Sequence, residues 1–310
     1  MPLSTLIIGE ALMDCITQAD GTLLPLMGGS PFNMARAAAL QGADVGFLPP
    51  FSSDTFGERF KAQCAQDGIH VLGADSACPT SLAVVTLRDG QPSYGFYREG
   101  IADRDYDPET VLEQLRKRPA GVLHTGSLML VPPEHQKVLR VVEGAKAMGW
   151  IISVDVNLRP RVAPDLAAYK QAVLAVLPHA DWVKASDEDL EILGFGGATL
   201  ANASQARAAF AQPANRHVAL TFGGEGAYLW VEGQEVAAAA PRVVVQDTVG
   251  AGDTFWGSCI ADWSTQTEGR AQRVHQTLRR AMTAAAINCA RKGCQPPTLQ
   301  EVEAELAAQG

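Results

Sequence analysis

The stretch from Pro241 to Trp263, PRVVVQDTVGAGDTFWGSCIADW, constrains this chain more than any other, because two periodicities meet in it at a glycine turn. Pro241 to Val245 is a β-branched run suited to a buried strand, while Phe255, Trp256, Cys259, Ile260 and Trp263 recur at helical spacing from Thr254 onward. Between them stands Gly250-Ala251-Gly252-Asp253. Glycine lets the main chain approach a ligand and aim several N–H groups at one point, and a helix N-terminus adds partial positive charge. Such a turn can hold an anion, a phosphate above all. Asp253 stands at its mouth, where a carboxylate can take the proton of a hydroxyl that attacks phosphorus. The alternative is that Asp253 caps the helix, a role that Asp favours.

A strand–turn–helix unit needs a sheet around it, and 310 residues, 47 % of them hydrophobic and 19 % charged, suffice for one large α/β domain with a full core. The formal charge of −9 argues against nucleic acid or an anionic membrane as the main partner, since there is no basic surplus to release counterions. No apolar run approaches the ~20 residues needed to span a bilayer, and the N-terminus lacks a basic region followed by an apolar run. A cytoplasmic location is therefore expected. Cys15, Cys64, Cys78, Cys259, Cys289 and Cys294 form no C-x-x-C pair, which suits reduced and mostly buried thiols. A Rossmann dehydrogenase would show G-x-G-x-x-G after the first strand, where this chain has Gly9-Glu10-Ala11; the P-loop pattern G-x-x-x-x-G-K-[ST] is absent too.

Taken in order, residues 6–8 are a short strand running into Gly9-Glu10-Ala11-Leu12-Met13-Asp14. Asp14 then falls just beyond a strand end, where ligands of open α/β sheets gather, although a turn carboxylate fits it equally well. In Gly28-Gly29-Ser30-Pro31-Phe32-Asn33 the serine can cap a helix and the proline can take its first position. Asn33 is a poor helix former that offers donor and acceptor to a polyol. Strands at 45–48 and 69–72 around a helix at 56–66 continue a parallel alternation. Residues 81–87 and 91–97 break the rhythm as a hairpin about Arg88-Asp89-Gly90, with Tyr94, Phe96 and Arg98 alternating against Gly95 and Tyr97. An inserted hairpin suggests a lid, or an edge extension of the sheet. Strands at 121–125, 150–156, 182–185 and 217–222 resume the alternation, with helices at 133–148 and 166–177 between them. Asn157 and Arg159 follow one strand end, where a guanidinium can meet phosphate oxygens or merely face solvent. A hairpin, 227–231 with 234–238, leads to the central stretch, and a long helix at 270–292 stops at Gly293.

DTVGAGDTFWG resembles the C-terminal signature of the ribokinase-like (PfkB) carbohydrate kinases, and G-G-x-x-x-N-x-A at Gly28 to Ala35 resembles their other signature. GEALMD and YREGIAD are similar to the bacterial fructokinases in particular, and the resemblance covers nearly the whole chain. It implies one ribokinase-like domain over residues 1–310: a central, mostly parallel sheet flanked by helices, with a small β lid from segments about 12–28 and 79–106 that often makes a homodimer contact. The implied reaction transfers the γ-phosphoryl group of ATP to a sugar hydroxyl, with D-fructose giving fructose 6-phosphate as first choice. The alternatives are 2-keto-3-deoxygluconate kinase, then ribokinase or riboside kinase.

By the same resemblance Asp253 is the base, helped by the amides of Gly250, Ala251 and Gly252 and by Arg159, while Asp14, Gly29, Asn33 and Arg98 hold the sugar. Asn157, Lys184, Ser186, Thr221, Gly223, Gly226, Gly252 and Asn288 lie along ATP. Where the family has Asn-x-x-Glu, this chain has Ser186 and Asp189, so Asp189 is the carboxylate that would hold Mg²⁺ through water. Asp247 and Val249, completed by the loop from Arg291 to Pro297, match a site for a monovalent cation such as K⁺.

Overall fold

The computed structural model describes residues 2–18, 20–88 and 91–308, with side chains outside 86–94. The expected turn at Asp89-Gly90 and the side chain of Tyr94 lie outside the described residues. The chain begins with β1 (Thr5–Ile7), β2 (Leu12–Thr17), β3 (Leu23–Gly28), α1 (Ser30–Leu40), β4 (Val45–Phe47), α2 (Thr55–Asp67) and β5 (His70–Val71). Then come β6 (Ser81–Arg88), β7 (Gln91–Tyr97), α3 (Pro108–Arg116), β8 (Val122–Gly126), α4 (His135–Ala147), β9 (Ile151–Asp155), α5 (Leu166–Val176), β10 (Trp182–Ser186) and α6 (Asp187–Leu193). It closes with α7 (Ala203–Phe210), β11 (His217–Thr221), β12 (Gly226–Val231), β13 (Gln234–Ala239), α8 (Ala251–Thr265), α9 (Val274–Cys289) and α10 (Leu299–Ala308).

Among the described residues one sheet has the order β13-β12-β11-β10-β9-β8-β1-β4-β5, parallel from β11 to β5 and antiparallel at β11-β12-β13. Both faces are covered, as a parallel sheet requires. One core layer joins Phe32, Phe60, Trp256 and Leu278 of α1, α2, α8 and α9 to the strands. The other joins Leu112, Val141, Val173 and Phe210 of α3, α4, α5 and α7. A second sheet, β3-β2-β6-β7, stands apart. The chain enters it from β1 and leaves it by α1, so its roots adjoin the C-terminal ends of the parallel strands.

Local chemistry explains most boundaries. Asp54, Asp107 and Asp165 open α2, α3 and α5 by accepting the amide of the third residue on, and Gly68 closes α2 in the left-handed region. Two expectations fail. Residues 241–245 form no strand: the sheet already ends at β13, Pro241 has no N–H to pair, and Val244 is 85 % exposed. The run instead bridges to α8, and just beyond its end the amides of Gln246 and Asp247 donate to the Cys289 carbonyl. Asp14 does not follow a strand end either, because β2 starts at Leu12 and carries it in its middle.

α1 and α8 cross at close range because Gly257 has no side chain; a Cβ there would lie 2.7 Å from both the Ala37 Cβ and the Met34 carbonyl. Gly257→Val is expected to separate the helices and destabilise the fold by about 1–3 kcal/mol. Urea unfolding measures this, and an unchanged midpoint would show that the crossing has slack.

Candidate active site

A cavity of about 570 Å³ opens at the C-terminal ends of β1, β8, β9 and β10, lined by Glu10, Ser127, Asn157 and Lys184 among others. β1 and β8 are neighbours whose connections leave in opposite directions along the sheet, to β4 and to β9. Ligands of open α/β sheets bind at such a switch point. The second sheet contributes Asp14 and Phe96, and the turn into α8 contributes Gly250 to Asp253.

Asp253 lies in the first turn of α8 and is buried, but it does not cap the helix, since Gly250 holds that position with φ 73°. Its Oδ1 accepts from the Ser30 hydroxyl at 2.7 Å and its Oδ2 from the Asn33 amide at 2.9 Å. Both donors stand on the first turn of α1. Ser30 is likewise no cap: Gly29 precedes the helix with φ 102°, and the serine hydroxyl serves Asp253 instead. A side chain at Gly29 would reach within 2.5 Å of the Glu10 carbonyl, and one at Gly28 within 2.3 Å of the Asp14 carboxylate. The glycine pair therefore makes room for Asp14 in the cavity that Asp253 also lines.

On the other side of Asp253 the cavity becomes basic. Lys184 is buried, with Nζ 2.9 and 3.0 Å from the two oxygens of Asp155. Burial pulls the Lys184 ammonium down, but Asp155, Asp189 and Asp253 outweigh it, so its pKa is raised and it stays charged. A Cβ on Gly252 would come within 3.3 Å of that Nζ, which sets the ammonium directly behind the glycine turn. Arg159, Arg161 and Asn157 complete this wall, Asn157 with φ 37°, a left-handed conformation that Asn tolerates.

Several expected residues lie elsewhere. Arg98 does not line the cavity; it is buried at the root of β7, where Nη1 donates to Ser81 Oγ at 2.8 Å and pairs with Asp103 at 3.3 Å. Asp189 lies behind the wall: its Oδ1 accepts from the Leu158 amide and its Oδ2 from the Ser186 amide, while Ser186 caps α6 in return. Glu188, one residue earlier, is the acid of α6 that lines the cavity. Asn288 is fully buried, its amide donating to the Val249 carbonyl and accepting from Gln295 N, so it clamps the loop and does not line the main cavity. Asp247 accepts from Val249 N and Gly293 N, which draws the loop after α9 toward the turn before α8. Thr221, Gly223 and Gly226 lie where β11 turns into β12, off the main cavity, and a Cβ on Gly226 would strike the Ala238 carbonyl at 2.0 Å. A second cavity, about 350 Å³ and more apolar, lies between β13 and α9, lined by Val236, Ala239, Pro241, Leu278 and Met282. The segment that lines it at Ala239 and Pro241 reaches the main cavity at Thr248.

A family model described as pfkB family carbohydrate kinase matches residues 4–301. The chain belongs to the pfkB family of carbohydrate kinases. The relatives agree with that membership. Fructokinase-2 of Solanum lycopersicum is 31 % identical over 310 residues, covering 94 % of this chain and 93 % of its own. Among solved structures, the fructokinase with bound ATP from Xylella fastidiosa is similar with a TM-score of 0.83 at 27 % identity, covering 98 % of both chains. The fructokinase double mutant from Vibrio cholerae O395, in its fructose, ADP and potassium ion bound form, gives 0.81 at 25 % identity, again over 98 % of both. The pfkB chain described here is thus a sugar kinase with the family's fold, and among its described residues no helix is long and apolar enough to cross a membrane.

Burial raises the Asp14 carboxyl from 3.8 to about 6, with Arg159 pulling it down and Asp253 pushing it up. A raised folded value makes the ionised form the costly one. The cost is absent below about pH 4, grows as pH rises to about 6, and is constant above. Asp14→Asn removes it and is expected to stabilise the protein at pH 8 by on the order of 1–3 kcal/mol, and by less at pH 5. Thermal melts at the two pH values check this; a loss of stability at pH 8 would mean that the ionised carboxylate is well solvated.

Proposed function

We propose that this protein is a fructokinase, moving the γ-phosphoryl group of ATP to D-fructose to give fructose 6-phosphate, with Asp253 as the base. The observation that carries the reading is the Asp253 carboxylate, set by Ser30 and Asn33 at the N-terminus of α8, between a polar sugar-sized recess and a glycine turn backed by Lys184. The sugar lies against Asp14, Gly29 and Asn33. Asp253 takes the proton of the attacking hydroxyl, while the main-chain N–H groups of the turn, the Lys184 ammonium and Arg159 hold charge on the moving phosphoryl group. The nucleotide runs from this turn past Asn157 toward the apolar slot between β13 and α9, which suits the base better than the neighbourhood of Asn288 does.

Mg²⁺ would be shared with the phosphates, neutralising their charge, and Glu188 is placed to meet it through water. A monovalent cation such as K⁺ would sit among Asp247, Val249 and the loop of residues 291–297, which hydrogen bonds already gather. The second sheet acts as the lid, and its exposed Leu23, Leu24 and Tyr97 fit a homodimer contact. Six free cysteines are consistent with the reducing cytoplasm.

Charge favours fructose over 2-keto-3-deoxygluconate. Glu10, Asp14 and Asp253 face the sugar half of the cavity, and Arg98, the cation expected near the acceptor, is buried with Asp103 and Ser81, which leaves Arg159, on the phosphate side, as the cation nearest Asp14. Turnover with fructose is expected to exceed that with 2-keto-3-deoxygluconate by at least about tenfold in kcat/KM, some 1.4 kcal/mol, in a coupled assay. The reverse order would give the acceptor site to the keto acid.

Asp253→Asn keeps the size of the side chain and both α1 partners within reach while removing the proton acceptor. It is expected to lower kcat by roughly 10²–10⁴ with little change in melting temperature or ATP affinity. A folded variant with near-normal phosphorylation would take the base role from Asp253.

A further inference from the structure

Glu10 ends the segment that follows β1, at the switch point between β1 and β8, and borders the main cavity while only 1 % exposed. Its Oε1 accepts from the Ser30 main-chain N–H at 3.3 Å, and the hydroxyl of the same serine donates to Asp253. One residue thus separates Glu10 from the base. Its Oε2 has no hydrogen-bond partner among the described residues, and a buried carboxyl oxygen without one is a strong acceptor in want of a donor. Behind it lies Arg98, whose Nη1 is held by Ser81 and Asp103 and whose charge acts on Glu10 without forming a direct bond. The Ser127 hydroxyl, just past the end of β8, stands close enough to favour the ionised Glu10 carboxyl, though outside hydrogen-bonding geometry with Oε2. Burial raises the Glu10 carboxyl to about 7 against the pull of Arg98, so it can accept a hydrogen bond when ionised and can donate one when protonated.

We propose that Glu10 is a further acceptor-binding residue: its free Oε2 takes one hydroxyl of the sugar while Oε1 stays on the Ser30 amide, fixing that hydroxyl relative to Asp253. The inference rests on the sugar-kinase reading above. It assigns the Glu10 side of the recess to a neutral polyol, since a carboxylate-bearing acceptor would meet Glu10 as a like charge. It also gives Arg98 a role that needs no contact with sugar. Arg98 anchors the roots of β6 and β7 through Ser81 and Asp103 and supplies the positive field that keeps Glu10 available.

The test is a cycle between Glu10 variants and singly deoxygenated fructoses, read as acceptor KM and ATP KM. Glu10→Gln is nearly isosteric and replaces a carboxyl that burial already draws toward neutrality, so it should fold; Glu10→Ala is the stronger change. Glu10→Ala is expected to raise the acceptor KM about tenfold or more with the ATP KM held within about twofold, because a site built to bond a hydroxyl discriminates steeply when the bond is lost. One deoxy analogue should cost the wild type a similar factor and cost Glu10→Ala almost nothing further, with Glu10→Gln between the two. Equal penalties for every analogue in wild type and variants would overturn the assignment. So would acceptor and ATP KM rising together, or a Glu10→Gln that cannot fold, since each marks a structural carboxyl. Wild-type turnover of fructose is scored first: its absence defeats the fructose reading alone, and the cycle is then run on the sugar that the enzyme does phosphorylate.

Discussion

The site depends on one contact between two helix starts, the pair of hydrogen bonds from Ser30 and Asn33 to Asp253. The partners stand 223 and 220 residues apart in the chain, so nothing local positions the carboxylate. The crossing of α1 and α8 does. Its closeness follows from Gly257, and its fixity from Arg36, which reaches from α1 to the Cys294 carbonyl and pairs with Asp67 at the end of α2. Cys294 in turn packs under Gly250, where a Cβ would lie 2.2 Å from its sulfur. The glycine turn, Asp253 and the first turn of α1 are therefore one packed unit, as a reaction that relies on positioning requires.

That unit also divides charge. An acidic chain concentrates cations on one wall of this cavity, as a triphosphate substrate requires: Lys184 behind the turn, Arg159 and Arg161 beside it. Lys184 is buried, and an unpaired buried ammonium would tend to lose its proton; the bidentate Asp155 keeps it charged. The opposite wall is carboxylic, with Glu10 and Asp14 both raised by burial. A neutral polyol suits that wall and an anion does not. The two walls of the cavity thus differ in charge, one cationic and one carboxylic.

Much of this was legible in the sequence, and the reason is backbone geometry. The turns at Gly28-Gly29 and Gly250-Ala251-Gly252 have positions that a Cβ would block, so the glycines mark the site without any knowledge of the fold. The parallel strands were legible because burial on both faces makes them continuous apolar runs. The same rule misread residues 241–245, since β-branched composition cannot tell a paired strand from an extended bridge over a second cavity. Asp14 was placed in the right site by the wrong element. Arg98, Asp189 and Asn288 do not line the cavity, and only coordinates reveal why: Asp189 and Asn288 have spent their polar atoms on main-chain partners, and Arg98 is turned with its Nη1 toward Ser81 and Asp103.

Glu10 and Glu188 show the converse. Both lie within segments that the sequence did single out, GEALMD and the stretch from Ser186 to Asp189, and neither was given a role there. What distinguishes them is placement. Glu188 lies one position before the acid that closes the α6 capping box, so helix geometry turns it toward the cavity while Asp189 turns inward. Glu10 lies where β1 ends and the chain departs for the second sheet, close to the roots of β6 and β7 through Ser81 and Arg98. A residue at that junction stands beside the main cavity and the root of the second sheet at once. A carboxyl placed there couples the cavity to the root of the second sheet, because the charge of Arg98, itself bonded to Ser81 and Asp103, acts on it across the junction.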